Sequence, residues 1–531
     1  MAKKNEKVNK GIKADRRAKV ILGMIITVIL LIIAAFFINL SGLIPRIFTG
    51  IKITENVNGQ QAVIENISVA EATYQYASIY NTYAQYNMFT ADTIDDVMDP
   101  TTGKTYRQWL LDQAAEKLKT IIIINRDAEQ NDYLSHSGAA AYAEANIESA
   151  RAMAGLYGYP SLDTYLQAMY GSGMNTALYR DCLIRETLAQ EYQQYMTQFG
   201  FQVTDEQIQA AYDQNESLYQ MADYCIYYFG GEHLDDGSVD TEDAMAAAQA
   251  VVDAATDADS FTEAVIDNIS EEDAIAAGLI SPTPSEDAEE EDADVAPAEE
   301  ATEDSEPVNP LLHENETAQT LAYGAEGLSD FLFDSGEIGS ATVLTSDYGA
   351  YAVYLIDRHL DEEPVVAYRS FQLTNDTRLE NGATQEEVDA AYQALIAEAN
   401  AMVANPMTAL QFADLVKEHS SSSSGIIYGG YNQGITADNF VPGEGSNRAE
   451  QMEAEGAWLF DPARQPGDTY ISVAADQRTL TVFYFERNDP SWVNSARTEI
   501  INTNVSEWAQ GLNANAPSYL ISYDLMKKLG R

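Results

Sequence analysis

Apolar and polar residues alternate in four successive textures along the chain. Residues 20–45 carry no charge and are mostly Ile, Leu, Val, Ala and Phe. At ~1.5 Å per helical residue the run exceeds the ~30 Å bilayer core and is longer than the apolar part of a signal peptide, so it predicts an uncleaved transmembrane anchor. An extended apolar stretch follows, with a turn signal at Asn58-Gly59 between Ile53 and Ile64. Ser68 and Glu71 then form a capping box ahead of Tyr74, Tyr76, Tyr80, Tyr83 and Tyr86, whose spacing is helical. Further helices are predicted over 105–126, 138–153, 161–170 and 175–199. Turn residues around Pro160 and at Gly171-Ser172-Gly173 separate them. The tyrosine stripe fits either a packing face or an aromatic groove for extended apolar peptides.

Near Thr204 the pattern changes. Thr204 to Gln207 caps a helix reaching Tyr212, and 224–229 (Tyr-Cys-Ile-Tyr-Tyr-Phe) has the content of a buried strand. Helical segments over 241–255 and 261–269 come next. The chain then repeats itself. Phe331-Leu332-Phe333-Asp334, Gly336-Glu337 and the strand 352–358 are echoed by Trp458-Leu459-Phe460-Asp461, Gly467-Asp468 and 481–487, while 224–229 corresponds to 366–373. Each unit reads strand, helix, helix, short apolar helix, two-strand ending, which predicts helices packed on a sheet in the α+β class.

Charge divides the chain further. The total is −53, yet residues 1–19 hold eight bases against two acids, a net +6, so the rest carries −59. The basic flank predicts a cytoplasmic N-terminus with the bulk outside a cell membrane. The acidic bulk disfavours a nucleic-acid partner and favours basic clients or bound cations. Between Glu286 and Glu306 there are 12 acids and no base or aromatic, a composition that predicts a disordered insertion. Two cysteines, Cys182 and Cys225, and five scattered histidines make no disulfide framework or metal pattern, so neither metal nor cofactor is expected.

The anchor, the helical segment with Gly158, Ser161, Tyr165, Gly171-Ser172-Gly173 and Arg180, and the ordered series His419-Ser420, Gly429-Gly430-Tyr431, Phe440-Val441-Pro442, Trp458-Leu459-Phe460 and Pro466-Gly467-Asp468 resemble the extracytoplasmic foldases of the parvulin type, a group with SurA-like and PrsA-like members. The resemblance implies a cytoplasmic tail over 1–19, a transmembrane anchor over 20–45 (Val20 to Pro45) and an all-helical SurA-like chaperone domain over 51–219, joined by a C-terminal helix over 490–527. It also implies two parvulin-like units over 220–363 and 364–489, the first interrupted by the disordered insertion 281–310. The expected function is a membrane-anchored foldase or chaperone that binds unfolded or exported polypeptides. An active peptidyl-prolyl isomerase with an altered site, or a non-enzymatic envelope adaptor, are the alternatives.

Active members of that group carry one histidine in the first strand and a second in the last. Here the first-strand position falls on Cys225 or Tyr224 in one unit and on Ser370 in the other, and the last-strand position falls near Tyr351 and Leu480. No histidine is expected at a strand centre. Isomerisation needs no covalent intermediate, only relief of a barrier of about 20 kcal/mol by desolvating and twisting the imide, so an apolar pocket can supply weak activity. In the second unit Phe440, Met452 and Phe460 are candidate walls, or core filling, and Tyr368 and Ser370 candidate hydroxyls on the floor. Cys225 reads as either a nucleophile or a buried strand cysteine.

Overall fold

The computed structural model describes residues 24, 26–31, 42–235, 237–281, 309–321, 323–420, 423–443 and 445–530. Among these residues helix makes up 52% and strand 21%, a mixed α/β architecture that corrects the expected fold class in two places.

The first correction concerns the membrane. Among the described residues no helix is long and apolar enough to cross a bilayer. Within 20–45, Met24 and 26–31 are helical, and 20–23, 25 and 32–41 lie outside the described residues. The far end of the stretch is bound to protein. The five-residue helix Leu43–Ile47 buries Pro45, and Gly42 lies so close to the Ser172 carbonyl that a Cβ there would come within 2.0 Å of it. The single-pass anchor, and the membrane location and orientation drawn from it, are therefore withdrawn.

The second correction is that the domain expected to be all-helical contains a sheet. Thr49–Val57 and Gln60–Ser68 form a hairpin. Its turn is at Asn58 (φ 53°) and Gly59 (φ 83°), left-handed conformations that Asn and Gly tolerate best. A third strand, Ser518–Ile521, pairs antiparallel with the first, Ile51 opposite Ile521. Ile51, Ile53 and Ile67 are fully buried against Leu111, Leu118 and Ile122 of the helix Tyr106–Gln130 and against Met526 of the last helix, Tyr523–Leu529. Ser68 caps the helix Val69–Gln85 by accepting from the Glu71 N–H. The helices Ala139–Leu156, Leu162–Tyr170 and Thr176–Tyr195 complete this domain.

Two four-stranded antiparallel sheets follow. The first runs Leu312–Thr317, Gln220–Gly230, Gly349–Leu360, Ala341–Ser346 across the sheet. The second runs Tyr431–Ile435, Pro364–Thr374, Thr479–Pro490, Thr469–Val473. Numbered within each unit the order is 2-1-4-3 in both, with the helices Glu242–Ala254 and Ala258–Asp267 on one sheet and Gln385–Met402 and Ala409–His419 on the other. The insertion expected to be disordered, 281–310, lies almost wholly outside the described residues.

Even the irregularities repeat. The last strand of each unit bulges once, at Ile356 and at Glu486, and the edge pairing slips beside Asp223 and beside Ala367. This register equates Tyr224 with Tyr368, Cys225 with Arg369 and Tyr351 with Thr481. The sequence reading, which set Cys225 or Tyr224 against Ser370 and placed the last-strand position near Tyr351 and Leu480, is out of step with this, by one residue for Cys225 and for Tyr351. In a strand such a slip exchanges the two faces.

The terminal helix Ser491–Leu512 ties the parts together. Its Ala496 is buried with Ile208 and Tyr219 at the root of the first unit. Its Trp508 donates to Asp127 at 3.0 Å and meets the Tyr192 ring edge-on in the helical domain.

Candidate functional site

The second unit presents a half-buried aromatic bowl. Tyr368 on the first strand lies 5.5 Å, ring to ring, from Phe483 on the last strand and 6.5 Å from Phe440, which is 6.3 Å from Phe460. Gly456 makes the bowl possible, because a Cβ there would meet the Phe440 Cβ at 2.8 Å. Beneath it Glu455 accepts from Ser472 at 2.6 Å. Burial, and next the Glu455 charge, push the Tyr368 phenol above its ordinary range, so it stays a neutral donor. Met452 shares the helix Ala449–Leu459 with Glu455 and Gly456 but is not packed into this cluster. Ser370 lines a separate cleft of ≈ 460 Å3 with Gln372, Ser424, Asn432 and Thr481. The five candidate residues are thus divided: three in the bowl, one in the cleft, one outside both.

Between bowl and helical domain lies a buried cation that sequence reasoning missed. Arg369 is fully buried. It donates to Glu486 at 2.6 Å and to the Gly429 carbonyl at 3.0 Å, with its guanidinium 4.7 Å from the Phe199 ring and 4.9 Å from the Tyr431 ring. Burial draws its pKa down, against the pull of Glu486. Phe199 belongs to the end of the helical domain, so this residue docks one domain on another. A side chain at Gly430 (φ 72°) would put a Cβ 2.4 Å from the Ser370 carbonyl, which explains the Gly-Gly pair. Nearby, Lys417 donates to the Tyr133 hydroxyl and the His136 carbonyl, and His136 meets Asp414 at 2.8 Å.

The first unit differs at the equivalent positions. Cys225 and Ile356 replace Arg369 and Glu486 with an apolar pair. Burial, then Asp259, pushes the Cys225 thiol up to about 12, so it holds its proton at neutral pH and is no nucleophile. No strand was expected around His313, yet that histidine lies at the start of one. His313 lies in Leu312–Thr317 opposite Tyr224, stacked on its ring at 5.1 Å. Its Nδ1 is 3.3 Å from Glu316, which also accepts from the Tyr224 hydroxyl at 2.8 Å, and its Nε2 is buried without a hydrogen-bond partner. The strand was hidden because Leu-His-Glu-Asn-Glu-Thr is polar at an exposed sheet edge.

The helical domain carries a groove of ≈ 450 Å3 between Val69–Gln85, Tyr106–Gln130 and Thr176–Tyr195. Ile79, Tyr83, Ile121 and Ile124 supply apolar surface, and Glu116 and Glu186 line the same groove. The tyrosine stripe is largely a packing face: Tyr76 and Tyr80 lie against the aromatic cluster around Phe89, Tyr83 packs edge-on against Trp109 and also lines the groove, and Tyr86 is exposed.

No family model matches the chain. No curated protein matches it in sequence. The likeness to parvulin-type foldases therefore rests on motif order alone.

Proposed function

We propose that this protein is a foldase-type chaperone that holds segments of unfolded polypeptide, and that its two repeated units are parvulin-like units that have lost the histidine pair. The observation that carries the reading is the helical-domain groove, whose apolar walls, with Glu116, Lys117 and Glu186 beside them, accept side chains, while the acidic charge of the chain favours basic clients. The repeated units support it: at the positions equated by their bulges stand Tyr224 and Tyr368 in the first strands and Tyr351 and Thr481 in the last. The test is suppression of aggregation of a chemically unfolded basic client by the full chain. Ile79→Asp with Tyr83→Asp is expected to remove most of the protection, whereas Leu156→Asp, at an exposed site outside the groove, leaves it intact. Equal protection by the groove variant and the parent sinks the proposal.

His313 favours a second reading, weak prolyl isomerase activity in the first unit. An imidazole held between Tyr224 and Glu316 can donate to a twisting imide. Acceleration of isomerisation in a proline peptide, lost in His313→Ala, supports it; a parent protein without acceleration removes it.

A further inference from the structure

The first unit also brings together three ligand-type atoms that the chaperone reading does not use. Asp223 stands in the first strand, and Asp357 and His359 in the last, where the bulge at Ile356 turns their side chains together. Each carboxylate already has one oxygen engaged. Oδ1 of Asp223 accepts the Asn315 backbone N–H at 2.7 Å, and Oδ1 of Asp357 accepts the Arg358 N–H at 2.8 Å. Oδ2 of each is turned toward His359 Nδ1, 3.9 Å away in both cases.

The imidazole is oriented as a ligand. Its Nε2 lies 3.1 Å from the Asn315 side-chain oxygen, an acceptor, so the ring donates there and turns Nδ1 toward the two carboxylates. That Nδ1 is buried and has no hydrogen-bond partner. Two carboxylate oxygens facing that ring nitrogen place positive charge there, which either a proton or a bound cation can supply. Asn315, left-handed at φ 57°, holds both the imidazole and Asp223, as the outer partners of metal-binding groups do.

The other unit supplies an independent comparison. Its register equates Asp223, Asp357 and His359 with Ala367, Arg487 and Asp489. There the cation is built in, Arg487 Nε lying 3.2 Å from Asp489. One copy of the repeat thus places a guanidinium where the other gathers three donors.

We propose that Asp223, Asp357 and His359 bind a divalent cation of the zinc type. The three atoms lie within 4.8 Å of one another, so an ion equidistant from them sits about 2.1–2.5 Å from each, and a contraction of a few tenths of an ångström reaches the ~2.0–2.2 Å of zinc. One imidazole with two carboxylates suits Zn2+, Co2+ or Ni2+ better than Mg2+ or Ca2+. The ion links the first and last strands of the sheet, with Asn315 tying in the second.

The test is titration of the full chain with Zn2+ by calorimetry and with Co2+ by visible absorption, against a background of excess Mg2+ that saturates diffuse acidic sites. One tight site is expected, with a Co2+ spectrum of nitrogen coordination. His359→Ala and Asp357→Asn are each expected to weaken it by at least about 100-fold. Asn315→Gly, which keeps the left-handed backbone and deletes the amide, is expected to weaken it about 10–100-fold. Glu314→Gln, at an exposed acid outside the triad, leaves it unchanged. Circular dichroism establishes that each variant is folded, and Asp357, 54% exposed, tolerates change even if His359 does not. Absence of tight Zn2+ binding in the parent, or equal binding by parent, His359→Ala and Asp357→Asn, overturns the proposal.

Discussion

Arg369→Met is expected to be among the most damaging single changes in the second unit, for a reason that a second change can reverse. Arg369 has no exposed side-chain surface and Glu486 only 15%. Removing the guanidinium leaves the nearly buried carboxylate with only Arg487, whose Nη1 is 3.9 Å away, and strands the Gly429 carbonyl, a loss of up to about 3–5 kcal/mol. The ring contacts with Phe199 and Tyr431 contribute roughly 1–2 kcal/mol of this. The first unit already carries the apolar alternative, Cys225 with Ile356. Arg369→Met combined with Glu486→Leu is therefore expected to recover all but the ring contribution, ending about 1–2 kcal/mol below the parent. Urea denaturation followed by tryptophan fluorescence and by circular dichroism measures both variants. A double variant as unstable as the single one, or a single variant that loses less than about 1 kcal/mol, refutes the stranded-carboxylate argument.

Gly430→Ala combines a left-handed backbone with a Cβ against the Ser370 carbonyl, and its thermal midpoint is expected to fall by the equivalent of about 1–3 kcal/mol; Gly443→Ala, with open space around it, leaves the midpoint in place. Truncation before Ser518 uncovers Ile51 and Ile53, and limited proteolysis is expected to cut the helical domain while sparing the second unit. Burial holds the Glu191 carboxyl above the carboxylate range, against Lys417 and the Ser137 and Gly138 hydrogen bonds. Just above the unfolded value the folded protein keeps a proton that the unfolded chain has lost, so this contribution to stability falls as pH rises through the folded value. Glu191→Gln is expected to flatten that stretch of a urea-midpoint profile taken from about pH 4 to 7; an unchanged slope contradicts it.

Local signals were the legible ones. Ser68 and Thr204 cap helices by their own side chains, and Tyr-Cys-Ile-Tyr-Tyr-Phe falls inside the strand Gln220–Gly230, because capping and β-branched or aromatic content act within a few residues. Signals that depend on distant partners were not. Ser518–Ile521 is too short to announce a strand until it meets Ile51 and Ile53. The equivalence of Cys225 with Arg369 was hidden because the two side chains differ in character, and the shared bulges at Ile356 and Glu486 that reveal it leave no mark in a periodicity. The apolar stretch over 20–45 was read by its length, whereas Pro45 is claimed by the packing around Gly173. At the site, Tyr368, Phe440 and Phe460 are brought together. His313, Arg369 and the Asp223–Asp357–His359 group needed the register of the sheets to be found.

The pairing of Ile51 with Ile521 sets an order of events during synthesis. Both repeated units can close from contacts within their own stretches of chain, but the sheet of the helical domain lacks its third strand until Ser518–Ile521, which follows both units, has left the ribosome. The domain proposed to shelter other unfolded chains is thus the one whose own apolar face waits longest for its cover.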